Sequence, residues 1–152
     1  MATSMFDPQS FLDAQMETPL EKRPPLPEGD YTAMIGEIKS RAWQGKADPS
    51  KSGIAWDIAL VVQIPMDLQD SLGRPELTIT DSTFIDITES GMIDSGPGKN
   101  RKLRAYREAL DMNKVGDVFS ARKMTGGIVK VKVKHDIYEG EPQERISGVA
   151  KA

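Results

Sequence analysis

The sequence lacks the residues that several kinds of functional site require. It has no cysteine and only one histidine, His135, among 152 residues. The absence of cysteine excludes a disulfide scaffold, a thiol nucleophile and zinc or iron–sulfur sites with cysteine ligands. No apolar run approaches the ~18–20 residues that cross a bilayer, and no basic segment followed by an apolar one opens the chain. We therefore expect a soluble, intracellular protein in the cytoplasm, without a metal site built from several histidines.

The charges that are present are distributed unevenly. The net charge is −3, from 20 Lys and Arg against 23 Asp and Glu, which by itself disfavours a polyanionic partner. Residues 1–96 carry a net charge of −9, residues 97–135 carry +8, and residues 136–152 carry −2. Because screening at physiological salt limits the reach of a charge to ~8 Å, the central block predicts a local positive surface. A solvated face without a partner is the alternative.

The first 28 residues are predicted to form an extended arm outside the core. Three prolines fall within residues 24–27, which favours polyproline geometry. Earlier in the arm, Phe6, Phe11 and Leu12 are large apolar side chains in an acidic setting. We expect these three residues either to pack back onto the domain or to bind a neighbouring subunit.

Residues 29–152 are predicted to form one mainly β domain. The clearest strand is 128–135, in which valines and lysines alternate strictly. Leu103, Tyr106 and Leu110 form the apolar stripe of a helix that faces the core. The predicted elements are strands at 30–43 (with a bulge at Gly36), 54–64, 77–87, 128–135 and 144–150, a long connection at 66–76 and a helix at 99–112.

Three strands, one helix and two strands in this order are typical of the OB fold. That fold is a five-stranded Greek-key barrel with its helix between strands three and four. An open α+β sandwich has the same linear order and remains the alternative.

The lysines of the fourth strand are the first candidate binding residues. Lys130, Lys132 and Lys134 project from one face about 7 Å apart, close to the spacing of phosphates in an extended single strand. Protection of a sheet edge by lysine is the alternative reading. The helix places five further cations within nine residues: Lys99, Arg101, Lys102, Arg104 and Arg107.

Aromatic side chains supply the second requirement for binding single-stranded nucleic acid, because bases stack on them. Trp43 is the best candidate, since it ends the first strand at a lysine-containing loop and is flanked by Arg41 and Lys46. Phe84 lies on the polar side of the third strand and is predicted either to be exposed or to be covered by a loop. Trp56 lies on the apolar side of the second strand and is predicted to be in the core.

Catalytic patterns are weak in this sequence. Residues 94–100 superficially resemble a phosphate-binding loop, but Ile93 and Asn100 replace the required glycine and hydroxyl residue. Four carboxylates could gather a cation, although a solvated acidic edge is the favoured interpretation: Asp81, Asp86, Glu89 and Asp94. We expect a protein that is not an enzyme and that uses no metal or cofactor.

Three segments resemble small phage-encoded single-stranded-DNA-binding proteins with an OB-type fold. They are residues 26–33, the helix region 98–113 and the lysine strand at 126–135. The resemblance is one of architecture and implies a non-catalytic protein that coats single strands during DNA replication or recombination, in the host cytoplasm if the source is viral. Many such proteins recruit replication partners through an acidic C-terminal tail, whereas this sequence ends in residues 148–152 without one.

Two functions are therefore expected from different classes. The first is sequence-tolerant binding of single-stranded DNA, or RNA, through phosphate contacts and base stacking. The second is a structural or adaptor role in a virion or replisome, in which the arm binds a neighbouring copy through Phe6, Phe11 and Leu12. The two are compatible, because single strands are often coated cooperatively.

Overall fold

The computed structural model describes residues 7–152 and is dominated by five β-strands. In chain order the elements are β1 (Gly29–Gln44), β2 (Ser52–Gln63), α1 (Met66–Leu72), β3 (Glu76–Ile85), α2 (Arg101–Ala109), β4 (Ile128–Tyr138) and β5 (Glu141–Lys151), with single 3-10 turns at Ser10–Asp13 and Ala121–Met124.

All five strands belong to one antiparallel sheet with the order β3-β2-β1-β4-β5. The long strand β1 is central: its first half pairs with β4 and most of its length pairs with β2. The sheet curls until its two edge strands, β3 and β5, approach each other without a hydrogen-bonded ladder, and α2 packs against both. The fold is therefore mainly β and barrel-like, as the strand patterns predicted.

A bulge divides β1 into two halves. The register with β2 shifts between Ile35 and Ile38, which confirms the irregularity predicted at Gly36. The 3-10 turn region fixes this bulge, because Gly126 N–H donates to the Ile35 carbonyl at 2.7 Å and the Thr125 hydroxyl donates to the Gly36 carbonyl at 3.0 Å. After the bulge, Arg41 and Trp43 fall on the face of the sheet that points away from the core.

The core follows the alternation of the sequence. Val129, Val131 and Val133 of β4 are fully buried, whereas the lysines between them are exposed. On β2 the predicted apolar side is inside, and Trp56 retains only 8% of its exposure, so its assignment to the core is confirmed. Burying a side chain of this kind contributes about 1.5–3 kcal/mol.

Helix α2 covers the opening between β3 and β5 with its predicted stripe. Leu103 and Tyr106 are buried and Leu110 is partly buried. The Tyr106 hydroxyl donates to the Asp81 carboxylate on β3 at 2.7 Å. Burial raises the pKa of Tyr106 far above its usual value, and the charge of Asp81 raises it further. Asp81 is itself only 6% exposed, so its assignment to a solvated acidic edge is wrong.

Two helices differ from the sequence prediction. The stretch predicted as a long connection at 66–76 contains α1, so the element order differs from the predicted β-β-β-α-β-β by one short helix. Its C-cap, Gly73, has a φ of 70°, a left-handed conformation that glycine adopts without strain. Helix α2 is also shorter than the predicted 99–112, because Asn100 precedes it with a left-handed backbone.

The arm departs from the prediction at Leu26. This residue lies within the range placed outside the core, yet its side chain is fully buried. Its backbone N–H donates to Glu144 at 2.9 Å, and its carbonyl accepts a 2.6 Å hydrogen bond from Nε2 of His135. The cross-strand pair of His135 on β4 and Glu144 on β5 thus holds Leu26 against the core, and the exposed part of the described arm ends before it.

Candidate nucleic-acid interface

Two of the predicted stacking residues contact each other on the outer face of the sheet. The rings of Trp43 and Phe84 lie edge to face, with centroids 5.2 Å apart and an interplanar angle of 66°. Phe84 is 63% exposed, whereas Trp43 is partly buried. An exposed ring such as that of Phe84 offers a flat apolar surface on which a nucleobase can stack.

The contact depends on small residues in the strand between them. Trp43 on β1 pairs with Gly53 on β2, and Phe84 on β3 pairs with Ala55 on β2. A Cβ atom on Gly53 would lie 2.9 Å from Nε1 of Trp43, which shows that the indole lies directly over this glycine. Ala55 is fully buried although it alternates with the core residue Trp56, because the outer-face side chains cover it. Gly53 is thus a positioning residue that the sequence analysis missed.

We expect the substitution Gly53→Ala to displace the Trp43 ring and separate the aromatic pair. The Gly53 backbone is compatible with alanine, so the effect comes from the side-chain clash alone. The measurement is the tryptophan emission spectrum, which should shift as Trp43 changes its environment, while buried Trp56 contributes a constant background. Gly148→Ala, at a strand position where an added Cβ would meet no atom closer than 4.0 Å, is the comparison substitution. Unchanged emission in Gly53→Ala would contradict the placement of the indole.

Arg41 lies two residues before Trp43 on the same outer face of β1, and it forms an ion pair with a carboxylate. Its Nε donates to Asp57 on β2 at 2.8 Å, and the Ser82 hydroxyl on β3 donates to the same carboxylate at 2.6 Å. The hydrogen bond from Arg41 is the largest cause that lowers the pKa of Asp57, followed by the one from Ser82. Arg41 is exposed enough to face a phosphate, although the Asp57 carboxylate already compensates its charge locally. Lys46 is exposed in the β1–β2 loop.

Three of the predicted helix-region cations line one cleft. Lys99, Arg101 and Arg104 surround an open cleft of about 620 Å³ between α2 and the loop of residues 94–98. Arg104 also pairs with Glu108 at 2.7 Å, an exposed contact one helical turn away. Lys99 and Arg101 form no ion pair within residues 7–152, so the cleft presents at least two uncompensated cations.

Asn100 fixes this cleft to the end of β3, and the sequence analysis did not recognise its role. Its backbone N–H donates to the Asp86 carboxylate at 2.7 Å, and its side chain exchanges two hydrogen bonds with the Asp86 backbone. A further bond joins its amide to the Asp94 carbonyl at 2.9 Å. Since Asp86 is two residues beyond Phe84, this clamp places the cationic cleft beside the aromatic pair.

The two other helix cations serve the fold. Lys102 donates to Asp81 at 2.9 Å and to the Ser82 carbonyl at 3.0 Å, so it neutralises a buried carboxylate. Arg107 donates twice to the Met112 carbonyl and lies 4.4 Å from the centre of the Phe119 ring. The sequence could not separate these cations from Lys99 and Arg101, because the Lys102 partners are distant along the chain and the Arg107 partner is a backbone carbonyl, which every residue carries.

The β4 lysines form a separate exposed row. Lys130, Lys132 and Lys134 face outward, and none takes part in an ion pair within the described residues. Lys130 pairs across the sheet with Thr32, which precedes Trp43 by eleven positions on β1. At roughly 3.3 Å per residue, the row lies about 36 Å from the aromatic pair along the strand. The structure therefore separates the predicted site into two surfaces.

The predicted partner residues of the arm remain outward. Phe6 lies outside the described residues. Leu12 is 81% exposed and Phe11 is 57% exposed, so the described structure does not bury either side chain in the domain.

The described part of the chain contains neither a cluster of metal-binding side chains nor a membrane-spanning helix. Among residues 7–152, no three His, Asp or Glu side chains are grouped closely enough to hold a metal ion. Asp86 and Asp94, predicted as part of a cation site or an acidic edge, instead accept hydrogen bonds from the loop backbone and Asn100. No helix of the same residues is long and apolar enough to cross a bilayer.

No protein-family model matches the chain, and no curated protein matches it. Its function is therefore inferred from its own geometry.

Proposed function

We propose that this protein binds single-stranded DNA with little sequence preference. The observation that carries the proposal is the exposed Trp43–Phe84 pair beside a cleft lined by Lys99, Arg101 and Arg104. Stacking surfaces next to cations are the combination that single-strand-binding proteins use, because every base has a π face and every nucleotide has a phosphate.

In the proposed mechanism a base stacks on the Phe84 face while neighbouring phosphates lie against the cleft. Phe84 supplies the more exposed of the two rings, and the Trp43 ring packs edge to face against it. Lys99 and Arg101 are best suited to phosphate, since no internal carboxylate competes for them. Arg41 and Lys46 extend the positive surface on the other side of the aromatic pair.

The β4 lysines supply a second contact in this proposal. Three like charges on one face repel one another, and a polyanion would relieve that repulsion. The intervening 36 Å of strand corresponds to several nucleotides of extended single strand. One chain of DNA long enough to follow the outer surface would engage both the aromatic pair and the lysine row.

We also propose that the barrel is of the OB type. The order β3-β2-β1-β4-β5, with β3 and β5 brought together and a helix placed between β3 and β4, supports this assignment. Its resemblance to small phage-encoded single-stranded-DNA-binding proteins implies that the protein would coat single strands in phage DNA replication or recombination without catalysing a reaction. The same surface chemistry would also accept RNA.

The test is a fluorescence titration of the full chain with oligo-dT. We expect quenching of Trp43, because the other tryptophan is buried. Neutralising ~4–6 phosphates gives a slope of log K against log salt near −3 to −4, at ~0.7 per phosphate on single strands. The proposal would fail if no binding occurred at 50 mM salt, or if binding did not depend on salt.

Substitution of the stacking ring separates this mechanism from general charge attraction. Phe84→Ala should weaken oligo-dT binding by about 5- to 150-fold, the equivalent of ~1–3 kcal/mol per stacked base. Its control is Trp56→Phe, which keeps the core aromatic and removes the background emission. Equal affinities for Phe84→Ala and the unaltered protein would exclude base stacking at this pair.

A further inference from the structure

The lysine row of β4 ends in an exposed aromatic side chain. Tyr138 is separated by an even number of residues from Lys130, Lys132 and Lys134, so its side chain points to the same outer face of the continuous strand β4. Val133, on the other face, is fully buried, whereas Tyr138 is 60% exposed. The outer face of β4 therefore presents three ammonium groups followed by a phenol ring.

The fold makes no use of this ring. Within residues 7–152, no hydrogen bond, ion pair or ring contact holds the Tyr138 side chain. Buried tyrosines usually pair their hydroxyl, as Tyr31 does by donating to the Pro27 carbonyl at 2.6 Å. Tyr138 is almost as exposed as Phe84, which is 63% exposed. Its ring is therefore accessible to a base that stacks on it.

Two carboxylates close to the ring are neutralised by cations of the fold. Asp136, two residues before Tyr138 on the same face, pairs with Arg145 of β5 at 2.9 Å. Glu141 lies opposite Tyr138 on β5 and pairs with Lys22. Because both carboxylates are compensated, they oppose the approach of a phosphate less than free carboxylates would.

Two other carboxylates form no ion pair in the described part of the chain, and they limit where phosphates can lie. Glu139 is in the turn beyond the ring, and Asp30 of β1 lies across from Lys132. On its other side Lys132 faces Gly148 of β5, which has no side chain to cover that edge of the row. We therefore expect phosphates to follow the β5 side of the lysine row and a base to stack on the ring before the turn.

We propose that Tyr138 and the lysine row form a second base-stacking subsite for single-stranded DNA, an inference that rests on the proposed DNA binding. Lys130 and Tyr138 are about 26 Å apart along β4, at ~3.3 Å per residue. With the 36 Å of strand that separate the row from the aromatic pair, the two subsites span about 62 Å, at the same rise per residue. A strand of about ten nucleotides covers this path, within the ~4–16 nucleotides that one OB fold binds.

The test compares two oligonucleotides in titrations of the full chain followed by quenching of Trp43. At ~7 Å per nucleotide, the spacing of alternate strand residues, dT4 spans about 28 Å and cannot join the two subsites, whereas dT12 can. We expect Tyr138→Ala to weaken dT12 binding about 5- to 150-fold, the usual loss for one stacked base. The affinity of dT4 for the aromatic pair should not change.

Two matched substitutions separate stacking from other effects at the hairpin. Tyr138→Phe keeps the ring and should bind dT12 as tightly as the unaltered protein. Ile137→Ala removes a neighbouring side chain that is 71% exposed but points to the opposite face, so it should also leave dT12 binding unchanged. Circular dichroism melting of each variant checks that the fold is retained.

The outcomes distinguish this subsite from the DNA proposal as a whole. Unchanged dT12 binding by Tyr138→Ala would overturn the second subsite and leave the DNA proposal intact. Equal losses for dT4 and dT12, or an equal loss in Tyr138→Phe or Ile137→Ala, would also overturn it, because they would show an effect other than stacking. If neither oligonucleotide quenched Trp43 in the unaltered protein, the DNA proposal would fail, and the second subsite with it.

Discussion

Reversing the charge of the β4 row, by Lys130→Glu, Lys132→Glu and Lys134→Glu together, is expected to weaken oligo-dT binding at least ~100-fold at 0.1 M salt. Each single-strand phosphate contact contributes ~0.7 to the salt slope, which corresponds to roughly fivefold in affinity at this salt concentration, and three contacts multiply. The slope itself should become shallower by about 2. Both quantities come from the same titration, repeated at several salt concentrations.

A control of equal charge change separates local contacts from the overall field. Arg74→Glu, Lys114→Glu and Lys123→Glu alter the net charge by the same amount at exposed positions outside both proposed surfaces. We expect a change of only a few fold, since screening limits the reach of each charge to ~8 Å at physiological salt. Equal losses in the two triple variants would show that the row has no specific role, and the aromatic pair would then have to be tested alone.

Replacing Leu26 by alanine is expected to lower the free energy of unfolding by about 3 kcal/mol. A fully buried leucine that is cut to alanine loses its transfer free energy and leaves a cavity, at a cost of ~2–5 kcal/mol. The backbone of Leu26 is held by Glu144 and His135, so the chain cannot easily collapse into that cavity. Urea unfolding followed by circular dichroism would measure the shift in midpoint at an unchanged slope.

Leu20 provides the matched control for this prediction. The same substitution six residues earlier removes a side chain that is 86% exposed, so we expect a change within about 0.5 kcal/mol. Equal effects at the two positions would mean that Leu26 is not part of the core. A large difference would locate the boundary between the domain and the arm before Leu26 and not after residue 28.

Elements with a strong local period were predictable from the chain. The valine–lysine alternation of β4 assigns each side chain to a face because successive residues of a strand point in opposite directions. The stripe of Leu103 and Tyr106 in α2 was predictable for the same kind of reason. α1 was not, because its seven residues give too short a period and follow Pro65 in a polar stretch.

The candidate site was predictable only in part. Trp43, Phe84, Lys99 and Arg101 were chosen by residue type and position, but nothing local indicates that the two rings touch across β2. That contact follows from the registers of two strand pairs and from the lack of a side chain at Gly53. The partners of Lys102 and Arg107 were likewise not predictable, since a cation that binds a carboxylate or a backbone carbonyl is indistinguishable in sequence from a free one.

The sequence by itself determined the alternation of the strands, the acidic and basic division of the chain, and the absence of thiol chemistry. These properties follow from the composition and from the short repeating pattern of apolar and polar residues along the chain. The tertiary structure alone decided that Leu26 belongs to the core, that Asp81 is buried beneath α2, and that the aromatic pair and the lysine row lie on separate surfaces. Such facts depend on contacts between residues far apart along the chain, which form only when the curled sheet brings them together.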